Sequence, residues 1–167
     1  MTDVRRGKAV IEFPSELEIR FTRDFDAPIR LVFDVLTKEE HVRRTFAPFG
    51  EDVKVCSIDL RVGGEYRCVM VTEDGTEMSF HGTFLEIEPP TRTVQTWLFD
   101  GWADAEAVET VELREANGVT TMTHTTRFRD QAGRDHMTRF DGIEANFDHV
   151  EDLLRSLQEE GAVAGEL

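Results

Sequence analysis

The chain has 167 residues, and its 19 basic against 34 acidic side chains leave a formal charge of −15. A domain of that length buries a real core, and 40 % hydrophobic residues with twelve phenylalanines make a globular composition, not a disordered one. So acidic a surface repels phosphate backbones and anionic lipid, which excludes a general nucleic-acid or membrane-surface binder.

No apolar run approaches the ~18 residues of a membrane span. The stretch from Met1 to Lys8 has no apolar segment of the secretory kind. Cys56 and Cys68 stand apart, not in a short metal-type pair. These features predict a reduced, cytoplasmic chain. No repeat, low-complexity tract or linker divides it, so residues 1–167 are read as one domain with a core over about 9–158.

Ala9 to Phe13, stopped by Pro14, reads as a short edge strand. Leu17, Ile19 and Phe21 alternate with Glu18, Arg20 and Thr22, the period-two pattern of a half-buried strand. Asp26-Ala27-Pro28 opens a helix, with Pro28 in the first turn, where its missing N–H costs nothing. Ile29, Val32, Phe33 and Leu36 follow at helical spacing. Thr37-Lys38-Glu39-Glu40 reads as a second N-cap with acids behind it, leading a short helix that Pro48 and Gly50 end.

From Asp52 to Phe128 the pattern is β throughout. Strands are expected at Lys54–Asp59, Glu65–Thr72, Glu77–Ile87, Thr93–Phe99, Ala105–Glu115 and Val119–Phe128, with Asp74-Gly75 and Asn117-Gly118 as hairpin turns. One long helix is expected from about Arg134 to Gln158. Its apolar stripe is Met137, Phe140, Ile143, Phe147, Val150, Leu154 and Leu157, and Gly161 closes it. Glu144, Asp148, Glu151 and Asp152 fall on its far face, as a solvated coat. A curved antiparallel sheet has one apolar face to cover, and a long helix lying across it does so.

Motifs for chemistry are sparse. Gly63-Gly64 lacks the remaining residues of a phosphate-binding loop and reads as a backbone turn. None of the five histidines stands at i, i+4 from another, the spacing of a helical zinc pair. His124 shares a strand face with Met122, Thr126 and Phe128 and points inward, whereas His81 alternates opposite Phe80 and Phe84 and points outward. No serine has a nucleophile-elbow context, and the two cysteines read as small apolar side chains. With 34 acids, chance carboxylate pairs are expected and single no residue out. The aromatic set is the strongest lead, because several of Tyr66, Phe80, Phe84, Trp97, Trp102, Phe140 and Phe147 must converge if the helix closes the sheet, most of them as core. Trp102, in the loop Asp100-Gly101-Trp102-Ala103-Asp104, reads as a lid.

Four blocks carry a family resemblance. Arg23-Asp24-Phe25-Asp26-Ala27-Pro28 with Val32-Phe33 and Leu36-Thr37 resembles the opening of the START-like, birch-pollen-allergen-like (SRPBCC) superfamily, most closely its branch of activators of heat-shock protein 90 ATPase homologues. Asp59-Leu60-Arg61-Val62-Gly63-Gly64-Glu65-Tyr66-Arg67, Gly82 to Pro90 with Thr96-Trp97, and Arg134 to Leu154 are similar to its later blocks. Two places depart from that branch: Arg44-Thr45-Phe46, where a Trp is usual, and Gly142-Ile143, where Gly-Trp or Gly-Met is common.

The resemblance implies an α+β helix-grip fold, a curved antiparallel sheet wrapped around a long C-terminal helix with an apolar pocket between them. Members bind lipids, sterols, polyketides or hormones, and a minority cyclise or dehydrate polyketide-like substrates. The expected function is non-enzymatic binding of a small apolar or amphipathic molecule by a monomer or homodimer. No cofactor, metal or catalytic residue is expected, and neither nucleic acid nor membrane insertion. The expected cavity residues are Tyr66, Arg67, Phe80, Trp97, Trp102, His124, Phe140, Ile143 and Phe147. Two alternatives stand beside it: a polyketide cyclase or dehydratase using His124 and an inward carboxylate, and a chaperone-interacting module.

Overall fold

The computed structural model describes residues 9–47, 51–100, 106–138 and 142–165. Among them the elements run β1 (Val10–Glu12), β2 (Glu18–Phe25), α1 (Ile29–Thr37), α2 (Glu39–Thr45), β3 (Asp52–Ile58), β4 (Glu65–Val71), β5 (Glu77–Glu88), β6 (Arg92–Phe99), β7 (Ala107–Ala116), β8 (Val119–Phe128), α3 (Gln131–Thr138) and α4 (Gly142–Gly165). The strands form one antiparallel sheet in the order β1-β2-β8-β7-β6-β5-β4-β3. This is the helix-grip architecture, and each expected strand is present to within a few residues. No described helix is long and apolar enough to cross a membrane.

Local chemistry explains the hairpins. Ala116 pairs with Val119, and between them Asn117 and Gly118 take positive φ values of 54° and 78°. A tight turn with both central residues left-handed matches strand twist, and Asn-Gly adopts it at least cost. In β8 the even positions Thr120, Met122, Thr126 and Phe128 are buried, as period two dictates.

The helix starts are held differently from the expectation. Pro28 precedes α1 without a side-chain cap. Instead the Glu115 carboxylate of β7 accepts the Ile29 N–H at 2.6 Å, and the Thr120 hydroxyl of β8 donates to the Ala27 carbonyl at 2.7 Å. The first turn of α1 is therefore capped from the β7–β8 hairpin. Thr37 does not cap α2, because its hydroxyl donates to the Phe33 carbonyl of its own helix at 2.7 Å. The position before α2 is Lys38, which makes no side-chain cap.

The C-terminal segment is helical on both sides of residues 139–141, which lie outside the described set, as α3 and α4. Its ends differ from the expectation: α3 starts at Gln131, and Gly161 is no terminator, since α4 continues to Gly165. A residue at an exposed helix position costs only about 1 kcal/mol as glycine, which the helix tolerates.

The main core lies off centre. Ile19, Phe21 and Phe25 of β2, Met122 and Phe128 of β8 and Leu113 of β7 pack with Val32 and Phe33 of α1 and with Phe147, Val150, Leu153 and Leu154 of α4. Within this inward row of β2 sits Arg23, 1 % exposed. Its Nη2 donates to Glu151 Oε2 at 2.7 Å, its Nη1 lies 2.9 Å from Asp148 Oδ1, and the guanidinium lies 5.5 Å from the centre of the Phe25 ring. Asp148 and Glu151 are thus more than a solvated coat: they hold α4 to the sheet.

Candidate functional site

Beside that core, sheet and helices line a partly open cavity of about 230 Å³. Phe33 and Leu36 of α1, Val42 of α2, Phe46 and Ile58 wall one side. Tyr66, Cys68 and Met70 of β4 and Phe80 and Phe84 of β5 form the floor. Gln95 and Trp97 of β6, Glu109 and Val111 of β7, His124 and Thr126 of β8 and Asn146 and Phe147 of α4 complete it.

Phe80 organises the apolar end. It stacks on Phe99 at 5.0 Å between ring centres and contacts Phe46 at 5.3 Å and Trp97 at 5.6 Å. Tyr66 packs against Phe84 and donates its hydroxyl to the Thr96 carbonyl at 2.6 Å. Burial, and then the Glu109 carboxylate, push the Tyr66 pKa up, so it remains a neutral donor. Its ring has room because it faces Gly82 across β4–β5. A Cβ at Gly82 would stand 1.9 Å from the Thr96 oxygen and 2.7 Å from Tyr66 Cε1.

The polar end is built by register. Gln95, Glu109 and Thr126 are successive cross-strand partners on β6, β7 and β8, and His124 pairs with Val111 one rung further. Gln95 Nε2 donates to Glu109 Oε2 at 3.2 Å. His124 Nε2 lies 3.7 Å from the same oxygen, with both side chains largely buried at 12 % and 15 % exposure. The His124 ring also contacts Phe21 and Phe147. The buried His124 Nδ1 and Asn146 Oδ1 have no protein partner among the described residues. A ligand group carrying both a donor and an acceptor can satisfy them.

The structure brings Tyr66, Phe80, Trp97, His124 and Phe147 together around the cavity. Arg67 it does not. Tyr66, Cys68 and Met70 occupy the inward row of β4, so Arg67 points outward and pairs with Asp100 at 3.1 Å. His81 meets the same Asp100 at 2.8 Å on the outer face. Ile143 lies in the first turn of α4, and Trp102 and Phe140 fall outside the described residues. Glu109, Gln95 and Asn146 join the cavity without having stood out in the sequence. The signal for Glu109 is its parity with Ala107, Val111 and Leu113, which puts a carboxylate in an otherwise apolar inward row. Among the described residues no group of His, Cys, Asp or Glu is arranged to hold a metal ion.

One wall of the cavity carries paired thiols. Cys56 and Cys68 are direct cross-strand partners, both 3 % exposed, with sulfurs 3.8 Å apart. The Cys68 S–H donates to the Cys56 sulfur and lowers the Cys56 pKa, while that same bond and then burial raise Cys68. Opposed antiparallel residues have Cα atoms ~4.5–5.5 Å apart, inside the ~4.4–6.8 Å that a disulfide spans. Diamide, which takes up two hydrogens, is therefore expected to convert the pair to an intramolecular disulfide. Thiol titration after denaturation, with mass spectrometry, checks this; two titratable thiols after treatment would contradict it.

Residues 26–155 match the family model described as Activator of Hsp90 ATPase homolog 1-like protein. Among solved structures, a protein from Rhodobacter sphaeroides superposes with a TM-score of 0.82 at 22% identity, covering 90% of this chain and 99% of that one. One from Nitrosomonas europaea gives 0.77 at 23%, covering 88% and 99%. One from Staphylococcus epidermidis gives 0.74 at 26%, covering 88% and 94%. No curated protein matches the chain in sequence.

Proposed function

The chain belongs to the Activator of Hsp90 ATPase homolog 1-like family, and on that premise we propose that it binds a small amphipathic molecule, without transforming it, in the cavity between α4 and the sheet. The observation that carries this reading is the cavity's make-up: aromatic walls from strands and helices, with one polar end. Small-molecule sites have this composition, mostly apolar with a few placed polar groups. Size narrows the class. An apolar cavity of ~150 Å³ holds benzene, so about 230 Å³ suits one or two fused rings or a short chain and is small for a sterol or a long acyl chain.

Naphthalenemethanol, an uncharged two-ring alcohol, is the probe. Calorimetric titration is expected to give saturable one-to-one binding, accompanied by a change in tryptophan fluorescence because Trp97 lines the cavity. Val111→Phe, which adds volume inside the cavity, is expected to weaken binding at least ~10-fold, the cost of overpacking a site already lined by rings. A fully folded protein showing no saturable binding would remove the proposal.

A second reading has one observation in its favour. His124 and Glu109 converge in the same cavity, and these are residue types that exchange protons with substrates. Solvent-deuterium incorporation into a ring-sized ketone, lost in His124→Gln, tests it; no incorporation sets it aside.

A further inference from the structure

We infer that the molecule this cavity takes carries a cationic, hydrogen-donating head, a protonated amine, seated on Glu109. The inference rests on the binding reading above and concerns the sign of the ligand's polar end.

Glu109 is the starting point. A carboxylate at 15 % exposure, facing an aromatic cavity, has lost most of its water. Such a charge is costly unless partners replace that water. A carboxylate offers about four acceptor sites. Among the described residues Glu109 accepts one hydrogen bond, from Gln95, while His124 Nε2 at 3.7 Å lies outside hydrogen-bond distance. Its remaining capacity faces the cavity.

The guanidinium that also lines the cavity is engaged elsewhere. Arg92 lies 3.5 Å from Glu86 and 3.2 Å from Glu112. Glu86 and Glu112 stand outside the cavity lining, and among the described residues that line it Glu109 is the one carboxylate. Asn146 can turn its amide to present either a donor or an acceptor, so Glu109 decides the sign. Two further features act in the same direction. A net charge of −15 raises the concentration of cations around the whole protein. The rings of Trp97, Phe80 and Phe147 line the same space, and aromatic faces attract ammonium groups. A carboxylate-bearing ligand would meet none of these terms.

The test compares three probes with one ring system: naphthylmethylamine, naphthalenemethanol and naphthoate, titrated into the full chain at neutral pH and low salt. The amine is expected to bind at least ~10-fold tighter than the alcohol, the alcohol tighter than the acid, and the amine's advantage should shrink with added salt. In Glu109→Gln the amine is expected to weaken at least ~10-fold while the alcohol changes less than ~3-fold, which also shows that the variant is folded. An alcohol or acid binding as tightly as the amine to the unmodified protein would overturn the cationic head and leave the cavity reading standing. An amine that keeps its full advantage over the alcohol in Glu109→Gln would overturn the seat on Glu109. If none of the three binds, both readings fall together.

Discussion

Replacing Gly82 with alanine is expected to unfold the protein or to cost about 3 kcal/mol or more, far beyond the usual effect of one added methyl. The added Cβ would stand 1.9 Å from the Thr96 carbonyl oxygen and 2.7 Å from its carbon, both backbone atoms that cannot swing aside. The same carbonyl accepts the Tyr66 hydroxyl, and the Thr96 hydroxyl accepts the Thr83 N–H at 2.8 Å. Moving Thr96 therefore also loosens two side-chain contacts that add to the β5–β6 ladder beside the cavity. Denaturant melts of Gly82→Ala, alone and with Tyr66→Ala, check the argument. The second change relieves only the ring contact, so the double variant should be no more stable than the single one. Rescue by Tyr66→Ala would place the conflict at the ring and not the backbone.

The ion pair at Arg23 is expected to behave asymmetrically. Its side chain is fully buried, whereas Asp148 and Glu151 are 61% and 38% exposed. Losing one carboxylate leaves the other in place, so Asp148→Asn or Glu151→Gln alone should cost about 1 kcal/mol or less, as partly exposed pairs do. Losing both strands a desolvated guanidinium, and the double variant should cost about 3 kcal/mol, at the lower end for a broken buried pair because α4 can swing to admit water. Arg23→Met removes the buried charge and fills its volume, leaving two acids that water can reach; it should fall within about 1 kcal/mol of wild type. Equilibrium unfolding of the four variants decides. An Arg23→Met protein as weak as the double carboxylate variant would mean that the cation does more than offset its own burial.

Both features bear on what can be read from the sequence. Strand alternation exposes the sheet almost completely, because a half-buried strand writes its two faces into odd and even positions. The same parity places His124 inward and His81 outward. It also holds Arg23 level with Ile19, Phe21 and Phe25, and Glu109 level with Ala107 and Val111, yet parity names no partner. The acids that answer Arg23 lie on a helix 128 residues away in the chain for Glu151, and only the folded arrangement joins them. Glu109 is hidden by abundance, one carboxylate among 34 acidic residues. Arg67 is drawn to the cavity by its neighbour Tyr66, although adjacent strand residues face opposite ways. Thr37 has the right chemistry for an N-cap, but an acceptor one turn back in its own helix is nearer.

The off-centre core has a consequence for motion. Protein regions open locally at free energies that track how much apolar surface holds them. Strands β2, β8 and β7 are clamped under α1 and α4, while β3, β4 and β5 lean on one another, on α2, whose Glu39 carboxylate accepts the Ile58 N–H, and on the rings around Phe80. The chamber lies along the seam between these two halves. Its outer wall is therefore expected to open at a fraction of the cost of global unfolding, which faster amide hydrogen exchange in β3 to β5 than in β2 and β8 would show.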